Sequence, residues 1–289
     1  MTNFFFAVYS QALLFLPLAL GICISFNILK ATDMTLDGSF VLGAASYAIL
    51  VTHGYSPYLG LITAILSGAG AGSLTATIQR GGKIDPLLAG VLGMFILSSF
   101  NLILMGKPNI TLLNSASLFN TANQSNSFAY VTLYVILICS IVAFSLRSRF
   151  GLTLRALGDN PFYLQRLGKK VELYRLLGFA TTNALAALSG CFTAQIVGYA
   201  DINMGFGMTL TGIGTIILGQ QLLMPYLQGK VVRIGLELIA ILLGISCYFI
   251  LLNLLLRLEV NPIYLKMIIG FLLIIFLRTA IQKKAGVRS

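Results

Sequence analysis

Eight polar side chains, three of them carboxylates, are concentrated in two short stretches of an otherwise apolar chain. Each stretch, residues 33–39 and residues 201–211, places an acid before small or polar residues and a glycine-rich segment. Such groups could hydrogen-bond a polar solute that crosses a membrane between broken helices. They could equally cap helix N-termini or bond their own backbone. The candidates for a translocation path are Asp33, Thr35, Asp37, Ser39, Asp201, Asn203, Thr209 and Thr211.

The sequence lacks the motifs that enzymatic chemistry would require. Gly81-Gly82-Lys83 does not have the spacing of a phosphate-binding loop, and no HExxH pattern occurs. His53 is the single histidine and no CxxC pair occurs, so no metal or other cofactor is predicted. Buried thiols are expected at Cys23, Cys139, Cys191 and Cys247. The chain is therefore predicted not to be an enzyme, and any ATP that drives it is hydrolysed on a partner.

The composition indicates a polytopic membrane protein. Apolar residues make up 57% of the 289 positions, charged residues make up 9%, and the mean hydropathy is +0.92. A soluble domain of this length needs far more polar surface. The net charge of +11 arises from Lys and Arg at the ends of apolar segments, a pattern that sets membrane topology. Membrane lipid is thus an expected partner and nucleic acid is not.

One long polar segment, residues 147–175, interrupts the apolar runs near the middle of the chain. Its seven basic residues outnumber Asp159 and Glu172, and loops rich in Lys and Arg face the cytoplasm. Asp159-Asn160-Pro161 predicts a helix start, because Asp and Asn cap helices and Pro favours the first helical position. The segment is expected to be a folded cytoplasmic element that a partner binds.

The apolar segments predict an all-α bundle of about nine transmembrane helices. A helix crosses the roughly 30 Å apolar core of a bilayer with about 20 residues. A segment at residues 34–53 is long enough only if it includes Asp37, Gly38 and Ser39, so this helix is expected to be broken where it begins. A re-entrant hairpin there would reduce the total to eight. The other predicted spans are residues 4–29, 57–78, 86–105, 128–146, 176–197, 205–223, 234–256 and 263–277.

Basic residues also set the expected orientation. With residues 147–175 inside, all 19 Lys and Arg residues except Lys107, Arg257 and Lys266 fall on the cytoplasmic side. The stretches at 33 and 201 are five spans apart and therefore run in opposite directions. This relation fits an inverted repeat around a translocation path, although two glycine-rich segments could resemble each other by chance.

Several sequence blocks resemble a known family. Asp33-Met-Thr-Leu-Asp-Gly-Ser-Phe resembles the start of permease subunits of bacterial ABC importers related to the branched-chain amino acid and ribose systems. Leu154-Arg-Ala-Leu-Gly-Asp-Asn-Pro with Arg166-Leu-Gly168 looks like the cytoplasmic coupling loop of these permeases. Residues 183–190 and 199–205 resemble the part of these permeases that comes after the loop. Within the group, the resemblance is to permeases labelled as tryptophan/tyrosine or aromatic amino acid importers.

The resemblance implies a permease in the bacterial cytoplasmic (inner) membrane that works as a homodimer. Two ABC ATPase subunits would bind from the cytoplasm and an extracytoplasmic solute-binding protein from outside. The whole chain, 1–289, would be one transmembrane permease domain with residues 147–175 as its coupling loop, and a small polar solute, an amino acid of the aromatic class by this likeness, would be carried. The residues that would couple to the ATPase are Arg155, Gly158, Asp159, Asn160, Arg166 and Gly168.

Two other function classes remain open on sequence grounds. An ion-coupled secondary transporter or channel would need an internal ion or proton site, and the spans hold no deep titratable relay. A membrane scaffold without transport would leave residues 147–175 as a simple solvated anchor. Uptake that survives disruption of this loop would favour the first class, and a lack of any transport phenotype would favour the second.

Overall fold

The computed structural model describes residues 2–80, 84–113, 115–119, 124–223 and 234–261, with scattered positions between 264 and 274. The prediction of an all-α membrane bundle is confirmed, because helices dominate these ranges. The described residues contain one small sheet, a two-stranded ribbon. The elements are α1 Thr2–Ile22, a π-helical segment Cys23–Ile28, α2 Thr35–Thr52, α3 Pro57–Ile78, α4 Pro86–Met105, β1 Asn109–Thr111, α5 Gln124–Arg147, α6 Arg149–Asp159, α7 Pro161–Arg166, α8 Val171–Val197, β2 Tyr199–Asp201, α9 Met208–Leu223 and α10 Ile234–Arg257.

Seven helical segments in the described part of the chain are long and apolar enough to span a membrane. They are Phe4–Ile28, Thr35–Thr52, Pro57–Ile78, Pro86–Met105, Ala129–Arg147, Val171–Val197 and Gly235–Arg257. Helix α9 is apolar but shorter, with 16 residues. The predicted span at 263–277 lies largely outside the described residues.

The chain divides into two compact units, residues 13–210 and residues 1–12 with 211–289. In the unit 13–210, α2 is the central helix, and its side chains Leu36, Phe40 and Ala44 are fully buried. Helix α8 packs against it with backbone nearly touching backbone. A Cβ at Gly43 would lie 1.9 Å from the Ala187 carbonyl oxygen, so only a glycine permits this approach.

The two ends of α2 have different neighbours. Its second half joins a core that includes Ala48, Met105 and Ile110, and this core packs under the β1–β2 ribbon. The ribbon is antiparallel, with Asn109 opposite Asp201 and Thr111 opposite Tyr199. The polar α6–α7 segment instead contacts the chain just before α2 begins. The ribbon and α6–α7 thus lie at opposite ends of the central helix.

The unit formed by residues 1–12 and 211–289 is built around the pair α9 and α10. A Cβ at Gly219 would lie 1.8 Å from the Ala240 carbonyl oxygen, so these helices also touch through their backbones. The amide of Asn253 donates to Gln11 at 2.7 Å, which ties α10 to the start of α1 within the same unit. Close packing of this type is a main source of helix association in lipid.

Three predicted boundaries need correction. Helix α8 starts at Val171, so the span predicted from residue 176 begins inside the polar segment. Helix α9 starts at Met208, not at 205, because Gly207 has a left-handed φ of +80° that interrupts the helix. Helix α2 is continuous from Thr35, and the irregular backbone lies earlier, at residues 29–34, where Lys30 has φ +52°.

Candidate functional site

A buried polar network surrounds the start of α2. Asp33 accepts hydrogen bonds from the Thr35 backbone N–H at 2.9 Å, from the Thr35 hydroxyl, and from Asn183 Nδ2 at 2.8 Å. The Asn183 oxygen in turn accepts from the Ser39 hydroxyl at 2.7 Å, and Thr75 donates to Thr35 at 3.1 Å. All five side chains are almost inaccessible to solvent. The network therefore joins the start of α2 to α3 and α8.

Asp33 lies in the connection between the first two spans. Burial raises the pKa of its carboxyl above the ordinary value, and the donors from Thr35 and Asn183 oppose that rise. The carboxyl therefore depends on these donors for its place in the interior. Its carboxylate accepts the N–H of Thr35, the first residue of α2, and so fixes the chain that leads into this helix.

A second buried acid, Asp37, caps a different helix. Its carboxylate accepts from the backbone N–H groups of Gly207 at 2.9 Å and Thr209 at 2.6 Å, and from the Thr209 hydroxyl at 2.6 Å. Gly205 sits directly on the backbone of Asp37, where a Cβ would lie 2.2 Å from its carbonyl oxygen. Asp37 thereby fixes residues 205–209 onto the first turns of α2.

A cavity of about 280 Å³ lies beside Asp37, between α2, α4 and residues 202–206. Asn101 of α4 lines it, and its Nδ2 donates to the Gly38 carbonyl oxygen at 3.0 Å. The Asn101 Oδ1 is buried and has no hydrogen-bond partner among the described residues. The lining is completed by Val41, Met94, Ser98, Ser99, Leu102, Ile202, Asn203, Gly205 and Phe206.

The other predicted path residues do not join these two clusters. Asp201 lies in the β1–β2 ribbon, where it accepts from the Asn203 backbone N–H at 2.8 Å and from Asn109 at 3.2 Å. Asn203 follows it and lines the cavity. Thr211 belongs to the other compact unit and hydrogen-bonds Tyr248 there. The structure thus brings together Asp33, Thr35 and Ser39, and separately Asp37 and Thr209.

Sequence reasoning missed three buried polar residues that complete these clusters. They are Thr75 in α3, Asn101 in α4 and Asn183 in α8, each inside an apolar span. Polar side chains within membrane spans are uncommon and often functional, and this signal could have selected the two asparagines.

The polar segment 147–175 folds into two short helices. Ser148 caps α6 by accepting from the Phe150 N–H at 3.2 Å, and Asn160 caps α7 by accepting from Phe162 N–H at 3.1 Å and Tyr163 N–H at 3.3 Å. Pro161 occupies the first position of α7. The helix start predicted at Asp159-Asn160-Pro161 is confirmed.

Helix α7 ends in a glycine-based cap. Gly168 has φ +70°, its N–H donates to the Gln165 carbonyl at 2.9 Å, and the Lys169 N–H donates to the Leu164 carbonyl at 3.0 Å. This pair of bonds is the Schellman arrangement that favours glycine after a helix. Gly168, one of the predicted coupling residues, therefore closes α7.

Helix α6 contacts the end of the first span. A Cβ at Gly158 would lie 1.9 Å from the Ile28 carbonyl oxygen, so α6 rests directly on the π-helical segment. Next to this contact, Asp159 accepts a hydrogen bond from Lys30 Nζ at 2.5 Å. An exposed pair like this contributes little stability, so the Gly158 contact is the stronger constraint on α6.

The outer face of α7 is apolar and exposed. Leu164 is buried and anchors the helix, whereas Phe162 is 71% exposed and Tyr163 and Leu167 are each 57% exposed. Arg166 is exposed on the same short helix, and Arg155 of α6 is half-buried. In the described part of the chain, no group of three or more His, Cys, Asp or Glu side chains could hold a metal ion.

Comparison with known proteins shows to which family this chain is similar. The family described as "Branched-chain amino acid transport system / permease component" matches residues 4–277. An uncharacterized protein of Rickettsia prowazekii is 42% identical over 95% of this chain and 97% of its own length. The tyrosine transport system permease protein of Clostridioides difficile is 35% identical over 94% of this chain and 90% of its own.

More distant matches agree with these. The autoinducer 2 import system permease protein of Escherichia coli is 26% identical, covering 73% of this chain and 62% of that protein. A solved metal-chelate type ABC transporter in an inward-facing conformation has the same fold, with a TM-score of 0.56 at 17% identity over 94% of this chain and 85% of its own.

The family match identifies the chain as a membrane transport subunit of the ABC class, and not an enzyme, and the fold agrees with this. More particularly, the chain belongs to the family of permease components of branched-chain amino acid type transport systems. This confirms the resemblance on which the sequence interpretation relied.

Proposed function

We propose that this chain is the transmembrane subunit of a binding-protein-dependent ABC importer in the bacterial cytoplasmic membrane. Residues 147–175 face the cytoplasm in this proposal, and two ATPase subunits bind them. The chain acts as a homodimer that receives solute from an extracytoplasmic binding protein. The observation that carries the proposal is the exposed apolar face of α7, held by caps at both ends.

An exposed apolar patch outside the membrane spans has a clear physical meaning. Phe162, Tyr163 and Leu167 lie in a segment between spans, and all three side chains are exposed. Exposed apolar patches often mark protein interfaces, and aromatic residues and Arg are enriched at interface cores. Asn160 and Gly168 then act as structural residues that hold this face in shape. Arg166 lies on the same helix, and Arg155 lies on the preceding helix α6.

Gly158 and Asp159 take a different role in this proposal. They contact Ile28 and Lys30 at the end of the first span, on the inner side of α6. They therefore transmit movement of α6 to the bundle, whereas the exposed face of α7 binds the ATPase. The predicted coupling residues are divided between docking, transmission and helix capping.

The proposed solute is a small amino acid of the aromatic class. The support is the similarity to a tyrosine transport system permease over most of both chains. A more distant relative is named for a different solute, autoinducer 2, so the family as a whole does not fix the substrate.

The proposed translocation path uses the cavity beside Asp37. Asp37 and Asn203 line this cavity, and Thr209 is bonded to Asp37. Asp33, Thr35 and Ser39 belong to the polar network at the start of α2. Asp201 lies in β2 and Thr211 lies in α9. Solute contact is thus assigned to the α2–α4 cavity, and Asp33, Thr35, Ser39 and Thr209 are assigned to the support of its walls.

A pair of matched phenylalanine variants tests the docking role. Phe162→Ala removes a ring that is 71% exposed from α7, and Phe144→Ala removes a ring of similar exposure, 78%, from the apolar span α5. Because central aromatic contacts often carry about 2 kcal/mol or more of binding energy, Phe162→Ala should lower co-purification of the partner ATPase at least tenfold. Phe144→Ala should leave it unchanged.

The same preparations separate the competing classes. Reconstituted with ATPase and binding protein, the wild-type chain should take up L-tyrosine only when ATP is present. Gradient-driven uptake without any ATPase would favour an ion-coupled transporter instead. Full ATPase recovery with Phe162→Ala would remove the docking role from α7.

A further inference from the structure

Another cavity, of about 490 Å³, lies where α3 ends and α8 begins. Arg80, which follows α3, and Lys170, which precedes α8, both line it. Gln165 of α7 lines it as well, so a bound molecule would contact three elements together. We propose that this cavity binds the headgroup of an anionic phospholipid. The inference goes beyond the proposed function, because it involves neither the ATPase nor the transported solute.

Close packing of α3 and α8 brings the end of one helix beside the start of the other. A Cβ at Gly68 would lie 2.6 Å from the Asn183 carbonyl oxygen, and a Cβ at Gly72 would lie 2.0 Å from the Phe179 carbonyl oxygen. Later residues of α3 thus meet earlier residues of α8, so the two helices are antiparallel. Both helices are membrane spans, and the cavity therefore lies at the membrane surface where α3 ends and α8 starts.

The cavity carries an excess of positive charge. Arg80 and Lys170 are exposed, and within the described part of the chain neither side chain has an ion-pair partner. The lining also includes Glu172, but Arg175 Nη1 lies 3.7 Å from its carboxylate and counters that charge. Two cations beside one cavity attract a phosphate and repel the ammonium group of a zwitterionic headgroup.

An apolar wall of the cavity continues along a membrane span. Leu173 and Leu176 of α8 line the cavity. Leu177, one turn after Leu173, lies on the same side of the helix, and these two side chains are 39% and 49% exposed, respectively. All three leucines belong to the span Val171–Val197, where the surrounding medium is lipid.

This combination of charge and apolar surface identifies the occupant as a lipid. Basic pockets between membrane helices bind anionic headgroups. A soluble phosphate would use only Arg80 and Lys170, whereas a phospholipid would also place an acyl chain along Leu173 and Leu177. The phosphate is therefore assigned to the two cations and the chain to the two leucines.

Native mass spectrometry of the purified full-length permease tests the site in the absence of ATPase. Phosphatidylglycerol and phosphatidylethanolamine with identical acyl chains are titrated separately, and the adduct with one lipid per protein chain is measured. Because two basic side chains favour the anionic headgroup, phosphatidylglycerol should bind at least tenfold more tightly. Glycerol 3-phosphate, which has a phosphate but no acyl chains, should not displace it.

Three double variants locate this preference. Arg80→Gln with Lys170→Gln should reduce the preference below threefold by weakening phosphatidylglycerol alone, whereas misfolding would weaken both lipids. Arg80→Lys with Lys170→Arg keeps both charges and should retain the tenfold preference. The matched control is Arg147→Gln with Arg149→Gln, which removes two exposed cations at the start of α6 that do not line the cavity. This control should also retain the preference.

Equal binding of the two lipids to the wild-type chain would overturn the lipid site. An unchanged preference in Arg80→Gln with Lys170→Gln would overturn it too, and if this variant also failed to co-purify with the ATPase, the two cations would be assigned to the ATPase interface. Displacement of phosphatidylglycerol by glycerol 3-phosphate would replace the lipid by a soluble phosphate. Because the titration contains no ATPase and no solute, a lost lipid preference leaves the importer proposal untouched.

Discussion

At the scale of single residues, the buried acids are held by donors from distant parts of the chain. Asp33 bonds Asn183, and Asp37 bonds Thr209, 172 positions away. A buried carboxylate is unfavourable unless such donors are present. The position of each acid therefore determines which helices pack around the start of α2.

The Asp33–Asn183 pair can be tested by exchanging its members. Asn183→Asp places two carboxylates together in the interior, and it should lower the free energy of unfolding by about 3 kcal/mol. The double variant Asp33→Asn with Asn183→Asp restores one acid and one amide at the same contact. It should recover at least half of the loss, measured by unfolding in mixed detergent and SDS micelles. A double variant no more stable than Asn183→Asp would show that the pair is not an essential contact.

Residue-scale partnerships were also where sequence reasoning was weakest. The cap at Asn160-Pro161 was predictable, because its donors lie two and three positions further along the chain. The bonds of Asp33 and Asp37 were not, because their partners are brought close only by helix packing. The sequence identified the acids but could not identify Asn183 as the neighbour of Asp33.

At the scale of elements, α6 and the π-helical segment Cys23–Ile28 form a joint. π-helical turns often occur at functional positions, and this one ends where Gly158 touches Ile28. Two residues later, Lys30 adopts a left-handed conformation that is costly for a side chain other than glycine. Irregular backbone and close contact coincide at this joint, so we expect it to carry movement from α6 into the bundle.

Two glycine variants examine the joint. Gly158→Ala puts a Cβ 1.9 Å from the Ile28 carbonyl oxygen, so α6 must move away, at a stability cost of about 1–3 kcal/mol. We expect normal ATPase co-purification but strongly reduced ATP-dependent uptake. Gly70→Ala, in open space on α3, should be neutral or slightly stabilising and should leave uptake unchanged.

The two outcomes of that experiment are distinct. Loss of ATPase binding in Gly158→Ala would assign this residue to docking together with Phe162. Undiminished uptake would mean that the contact between α6 and Ile28 is not used for transmission.

Element boundaries show what membrane sequence patterns can provide. Helices α3 and α4 begin and end at the predicted residues, because Ser56-Pro57 and Asp85-Pro86 are local start signals. The starts of α8 and α9 were misplaced, because one helix continues into polar sequence and the other begins where Asp37 caps it. Apolar length identifies membrane helices well, but tertiary contacts set where they begin.

At the scale of the whole molecule, the described contacts form a continuous series within residues 13–210. Helix α6 rests on Ile28 and Lys30, Asp33 anchors the start of α2, and Asp37 joins α2 to residues 205–209. The cavity lies beside that last contact. A permease driven by separate ATPases needs such a connection between its docking helix and its solute path.

Photo-crosslinking in living cells tests the central claim most directly. A benzophenone amino acid replaces Tyr163 on α7, and in a second strain it replaces Tyr58 at the start of α3, beyond the opposite end of α2. Both tyrosines are well exposed. The account predicts that position 163 forms a covalent adduct with the ATPase subunit and that position 58 does not. An ATPase adduct at 58 with none at 163, or an extracytoplasmic protein captured at 163, would contradict it.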